Sequence, residues 1–214
     1  MNDRTDNIPI FPLKVVLFPQ SLIPLFIFEE RYKRMINDCR KNRSVFGVNL
    51  KSNGDLNLIG STANVFEVVN ENSNGEMYIV VKGVRRFRII NRDYNEMGLM
   101  FSEIEYLDTV NINYDELVFN KAVELYNGII LKVYRGQINT VNKYDVKWKD
   151  GTHSVSFHMA QKCGLNLSER QRLLTIDTEN ERLEYMIVHL ERIHSQLKDA
   201  ERIENIIKSD GYIQ

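Results

Sequence analysis

Apolar positions in the first hundred or so residues recur in short runs broken by turn residues. Beyond residue 110 they recur every three or four positions. The first spacing is that of strands, the second that of helices. Residues 8–18 and 22–28 read as two extended segments, and their prolines suit edge or kinked strands. Glu29–Lys41 reads as a helix, with Tyr32, Met35, Ile36 and Cys39 on one face. Strands follow at Val45–Leu50 and Leu58–Val69, the latter bent near Gly60. Between them Ser52-Asn53-Gly54-Asp55 is a turn. Asn72-Ser73-Asn74-Gly75 is a hairpin signal, because Asn-Gly tolerates the positive φ of a tight turn. Met77–Lys82 then pairs back, Gly83 punctuates, and Val84–Asn91 and Leu99–Leu107 are two further strands. This predicts a barrel-like or twisted sheet of six or seven strands with one early helix.

The second half reads differently. Asp115–Tyr134 is predicted helical, with a stripe of Leu117, Val118, Ala122, Leu125, Ile129 and Val133. Residues 135–151 are polar and read as a long mobile loop, carrying Trp148 and the cluster Lys143, Lys147 and Lys149. Ser168-x-x-Gln171 and Thr178-x-x-Glu181 both fit a capping box. The last helix spans about Thr178–Lys208. Its stripe is Leu183, Met186, Ile187, Leu190, Ile193, Leu197 and Ala200, and its tail, with Ile203, Glu204, Ile206 and Ile207, is expected to leave the body of the domain. The expected division is 1–110, a β subdomain, and 111–214, a helical bundle. The fold class is α+β.

Composition narrows the function. The 214 residues are 43% hydrophobic and 27% charged, with a net charge of -1. Basic and acidic residues balance in each half, 14 and 14 in 1–110 and 14 and 15 in 111–214. Neither half is a polyelectrolyte, which disfavours non-specific nucleic-acid binding. Two cysteines suggest free thiols in a reducing compartment, although one disulfide between Cys39 and Cys163 also fits. The apolar N-terminal stretch holds all four prolines and Lys14, so it is not expected to span a membrane. A cytoplasmic protein is the expectation.

Little in the chain points to catalysis. His153/His158 and His189/His194 are each spaced i, i+5, which places the members of a pair on different helix faces. No C-x-x-C or G-x-S-x-G occurs. Cys39 falls on the apolar face of its helix, and Cys163 precedes Gly164 near a helix end, where the dipole raises a thiol pKa. Neither a metal nor a cofactor is expected. Glu29 opens the first helix, and Arg31 is expected to pair with a strand carboxylate. Lys82, Arg85, Arg86, Arg88 and Arg92 form a basic strand, with Arg86 and Arg88 on one face by alternation. Phe11, Phe18, Leu22, Phe26 and Phe28 are expected to be buried by default, and any left exposed would mark an interaction site.

Several segments together resemble a known family. Ile10-Phe11-Pro12-Leu13, Val15-Val16-Leu17-Phe18-Pro19 and Ile23-Pro24-Leu25-Phe26-Ile27-Phe28-Glu29-x-Arg31-Tyr32 resemble the opening of the Lon protease N-terminal domain. Ile59-Gly60-x-x-Ala63 and the Gly83, Arg85, Arg86, Phe87 run look like two of its strands. Residues 156–161, Leu165-x-Leu167-x-x-x-Gln171-x-Leu173-Leu174 and Asp177-x-x-x-Glu181-Arg182-Leu183 look like its helical half. The resemblance covers residues 8–197.

It implies a PUA-like β pseudo-barrel followed by a helical bundle, and a surface that contacts polypeptide substrates. No glycine is followed by lysine, so the phosphate loop of Lon's ATPase is missing from these residues. The expectation is a stand-alone member that recognises polypeptides without hydrolysing them. Its site would comprise Phe26, Phe28 and Tyr32, with rim charges Glu30, Arg31 and Arg34. Expected partners are unfolded or extended polypeptides, with a separate ATPase or protease as a further candidate. RNA binding through Lys82–Arg92 and an assembly role for the last helix remain the alternatives.

Overall fold

A computed structural model describes residues 5–107, 114–148 and 153–210. The chain divides into two compact units. One comprises residues 1–110 with 166–177, and the other 111–165 with 178–214. The segment 166–177, with its helix Leu167–Thr175, expected in the helical half, belongs instead with the sheet.

Among the described residues the first unit has eight strands: β1 Thr5–Leu13, β2 Leu22–Ile27, β3 Phe46–Ser52, β4 Asp55–Leu56, β5 Ile59–Glu71, β6 Met77–Ile89, β7 Asp93–Tyr94 and β8 Met100–Tyr106. Helix α1, Glu30–Asn42, lies between β2 and β3. The order along the sheet is β2-β6-β5-β3-β1-β8-β7, and β6 also pairs with β8. The ladders therefore form a closed circuit, β6-β5-β3-β1-β8-β6. Strand β2 hangs on β6 outside it, as an edge.

Two apolar clusters hold this unit together. Ile8, Ile10, Phe87, Ile89, Met100 and Ile104 form one. The other joins Tyr32, Met35, Ile36 and Cys39 of α1 to Phe11, Phe46, Val48, Ile79 and Val81 of the sheet. The α1 stripe is the one its spacing predicted. The helix stops at Arg43, whose left-handed φ of 54° turns the next amide, that of Ser44, back onto the Cys39 carbonyl at 3.0 Å.

Gly83 does not end a strand. Strand β6 runs unbroken through it. A methyl there would lie 2.2 Å from the Phe18 carbonyl oxygen. The segment after β1 crosses at that point and is tied to Gly83 through the Gln20 amide at 2.8 Å and the Ser21 carbonyl at 2.9 Å. Phe18 accordingly lies outside any strand and is buried.

Helix α4, Leu167–Thr175, is capped by Asn166 and Glu169, not by the expected Ser168 and Gln171. Arg86 holds its C-terminal end. This buried side chain donates to the carbonyls of Leu174 at 2.8 Å and Ile176 at 2.9 Å. Gln171 donates to the Ile59 carbonyl at 3.0 Å.

The second unit contains α2 Glu116–Tyr134, a 3-10 turn Val146–Trp148, α3 Val155–Ala160 and α5 Glu179–Asp210. Helix α2 buries Phe119, Ala122, Val123, Tyr126, Ile129 and Ile130. The expected stripe was partly misplaced, since Leu117 and Val133 face solvent. Helices α2 and α5 run in the same direction. Asp115 bonds Asn180, Lys121 pairs with Glu191 and Lys132 with Glu201.

Helix α5 begins with the predicted Thr178/Glu181 box. It buries Leu183, Met186, Ile187 and Leu190, but Ala200 and Ile203 are exposed. The side chains of Glu204, Ile206 and Ile207 lie outside the described residues. The segment after α2 is anchored in two places. Val141 pairs its amide and carbonyl with the Asn127 side chain, and Trp148 is buried with its indole N–H on the Asn142 carbonyl. Residues 149–151 of the expected loop, Lys149 included, lie outside the described residues.

Candidate functional site

Edge strand β2 carries the sequence feature that builds a site. Its residues alternate between core and solvent. Ile23, Leu25 and Ile27 pack inward, and Leu22, Pro24 and Phe26 face out. Pairing extends this outer face sideways, because residues directly opposite on neighbouring strands share a face. Pro24 lies opposite Val80, and Phe26 opposite Tyr78. Next, Val80 lies opposite Glu67 and Tyr78 opposite Asn70 on β5. Register shifts in β5 fall at Phe66 and at Val69, and both side chains are exposed.

The outer face of β2-β6-β5 is therefore apolar over much of its extent. Phe26, Phe28 and Tyr78 are 43%, 57% and 53% exposed. Their rings form one tier, with Phe26 to Tyr78 at 4.5 Å and Phe26 to Phe28 at 5.7 Å. Burying such rings is worth about 2 kcal/mol each, so their exposure in the isolated chain favours a partner.

A groove of about 280 Å³ lies against the tier. Phe11, Pro12 and Leu13 line it from β1, and Phe26, Ile27 and Phe28 from β2. Glu29, Arg31, Tyr32 and Lys51 give it a polar part. Arg31 pairs with Glu29, not with a strand carboxylate, at 2.7 and 3.0 Å. It also donates to the Gly98 carbonyl at 3.0 Å and covers the Tyr32 ring. Tyr32 is largely buried and stacks on Phe11 at 4.1 Å. Burial raises its phenol pKa.

Of the six expected site residues, Phe26, Phe28, Arg31 and Tyr32 line the groove. Glu30 and Arg34 do not. Glu30 pairs with Lys33, whose hydrogen bond and positive charge lower the Glu30 pKa, and the Arg34 guanidinium donates to Met97 Sδ at 3.2 Å. Sequence reasoning missed Tyr78, Val80, Phe66 and Val69. Their alternation was visible, but their pairing with β2 and the β5 irregularities were not. The default of burying all of these early apolar residues held for Phe11 and Phe18 and failed for Leu22, Phe26 and Phe28.

The basic strand makes no continuous cationic face. Arg86 is buried under α4, whereas Arg88 is exposed and lies opposite Glu105. Arg85 lies over the Tyr106 ring at 4.1 Å. A larger depression, about 410 Å³, is lined by Asp6, Asp93 and Glu103 among other residues and lacks an aromatic tier.

In the second unit three of the histidines contact neighbouring groups. His153 and His158 pack against Trp148, and His189 Nε2 lies 2.7 Å from the Cys163 carbonyl. Glu179 and Arg182, both buried, form an ion pair at 2.8 Å and share Ser156. Among the described residues no group of three or more His, Cys, Asp or Glu is placed to hold a metal. Cys39 and Cys163 are free and buried, and burial raises the Cys39 pKa. No helix among the described residues is long and apolar enough to cross a membrane.

The comparisons agree with this architecture. A Lon protease from Buchnera aphidicola is 26% identical over 94% of the chain, and that of Escherichia coli K12 is 28% identical over 94%. The chain spans 27% of the length of each. The crystal structure of a Lon N-terminal domain protein from Xanthomonas campestris superposes with a TM-score of 0.67 at 24% identity. It covers 86% of this chain and 98% of that one. The N-terminal domain of a Mycobacterium avium complex Lon protease gives 0.63 at 14% identity, covering 87% and 98%. Residues 7–192 match the family described as the ATP-dependent protease La (LON) substrate-binding domain, and the chain belongs to that family.

Proposed function

We propose that this chain is a polypeptide-recognition module. In this reading the first unit is a PUA-like pseudo-barrel, and it binds unfolded or extended segments without hydrolysing them. The observation that carries the reading is the exposed tier of Phe26, Phe28 and Tyr78 beside the groove, next to β2, whose outer edge is unpaired among the described residues. Apolar side chains of an extended segment would cover the rings, and its backbone would pair with the free edge of β2. Pro24 lacks an amide N–H, which limits indiscriminate pairing along that edge.

The family supports substrate recognition as the role. An ATPase or protease acting on the captured polypeptide is the partner this role calls for, in the cytoplasm.

The test is binding of reduced, carboxymethylated α-lactalbumin, followed by fluorescence anisotropy. Phe26→Ala and Phe28→Ala are expected to weaken it at least tenfold while keeping the native circular dichroism. Unchanged affinity in both variants would reject the site. Release of peptide fragments by the protein alone would reject the non-catalytic role.

A further inference from the structure

The polar part of the groove is electrically unbalanced. Its one carboxylate, on Glu29, is held by two donors of Arg31, at 2.7 and 3.0 Å. A third Arg31 nitrogen donates to the Gly98 carbonyl. The Glu29–Arg31 pair is thus internally satisfied. Lys51, on β3, is different. It is exposed, lines the same groove, and has no side-chain partner among the described residues. Its methylene stem can lie along the apolar wall while the ammonium stays at the rim. One positive charge remains uncompensated beside an aromatic binding surface.

We propose that the groove selects extended segments that carry an acidic side chain close to a bulky apolar residue, with Lys51 receiving the carboxylate. This rests on the polypeptide-binding reading above and names the sequence class it prefers. In an extended segment, residues two apart lie about 7 Å from each other on one face. An apolar residue on the tier thus places an acidic neighbour within reach of the groove's rim. Lys51 is exposed, so the preference is modest and sensitive to salt.

The experiment uses three fluorescein-labelled peptides, amidated at the C-terminus, that share a Phe-Leu core. They differ only in flanking Glu, Gln or Lys. At low salt the Glu peptide is expected to bind about threefold tighter than the Gln peptide, and the Lys peptide about threefold weaker. Lys51→Gln should erase the difference and Lys51→Glu should reverse it, each with the wild-type thermal midpoint as a folding control. Equal binding of all three by the wild type, or an unchanged preference in Lys51→Glu, overturns the charge selection and leaves polypeptide binding standing. Failure of all three to bind removes the polypeptide-binding reading, and this inference with it.

Discussion

The ring of Phe26 lies over that of Tyr78 across the β2–β6 ladder, with centroids 4.5 Å apart and planes 25° apart. The two residues are directly opposite in register, and both rings are about half exposed. An exposed cross-strand aromatic pair contributes only about 0.2–1 kcal/mol to the sheet. Phe26→Ala is therefore expected to lower stability by less than about 1.5 kcal/mol in urea denaturation. Phe46→Ala, at a fully buried ring, is expected to cost about 3–5 kcal/mol. Equal losses would mean that Phe26 serves packing and not recognition.

Arg86 is the clasp between β6 and the end of α4. Removing it leaves the Leu174 and Ile176 carbonyls without its guanidinium. Arg86→Ala is expected to cost about 3 kcal/mol. Arg86→Lys should recover only part of this, because an ammonium cannot reproduce the planar fork. Arg88→Ala, at an exposed position, should stay within about 0.5 kcal/mol. Thermal unfolding of the three variants checks the order.

Two glycines should respond in opposite directions to alanine. At Gly83 the new methyl meets backbone, 2.2 Å from the Phe18 oxygen and 2.9 Å from its carbon. Gly83→Ala is expected to destabilise by about 3 kcal/mol or more. At Gly128, inside α2, a methyl meets nothing within 4 Å. Gly128→Ala is expected to stabilise by about 0.5–1 kcal/mol. Midpoints shifting the same way in both variants would contradict the packing described.

Alkaline pH should expose the burial of Tyr126. Its phenol is pushed up to about 12, first by burial and then by Cys163 and Tyr134. An unfolded tyrosine titrates near about 10. The folded state therefore holds this proton where the unfolded state loses it. The resulting stabilisation is complete below about pH 10 and is lost as pH rises towards 12. Urea midpoints measured across that range should fall less steeply in Tyr126→Phe than in the wild type. Tyr32 and Tyr114, also raised by burial, keep the slope from vanishing. Identical slopes would contradict the assignment.

The elements that local chemistry decides were legible in the sequence. The α1 stripe was readable because one face alone is apolar, and the Asn72–Gly75 turn because Gly75 takes the positive φ, 72°, that Asn-Gly signals; Asn72 Oδ1 adds caps on the Asn74 and Glu76 amides. Where two local patterns competed, tertiary contacts decided. Helix α2 is apolar around much of its surface, so its period does not choose between Leu117 and Phe119 as the inward residue. Asn166/Glu169 and Ser168/Gln171 both fit a cap, and Gln171 is taken by the Ile59 carbonyl. Gly83 reads as a break in one dimension and is a crossing point in three. Four of the expected groove residues were readable because β2 and α1 adjoin in sequence. Tyr78, in the aromatic tier, and Lys51, in the groove, come from other strands.

Hydrogen–deuterium exchange of the protein with and without reduced, carboxymethylated α-lactalbumin tests the central claim most directly. Polypeptide docking on β2 predicts slower exchange at Leu22–Phe28 and at the start of α1, with Val84–Arg92 beyond Gly83 little changed. Slowing confined to Arg85–Arg92 or to α5, with β2 unaffected, would contradict it.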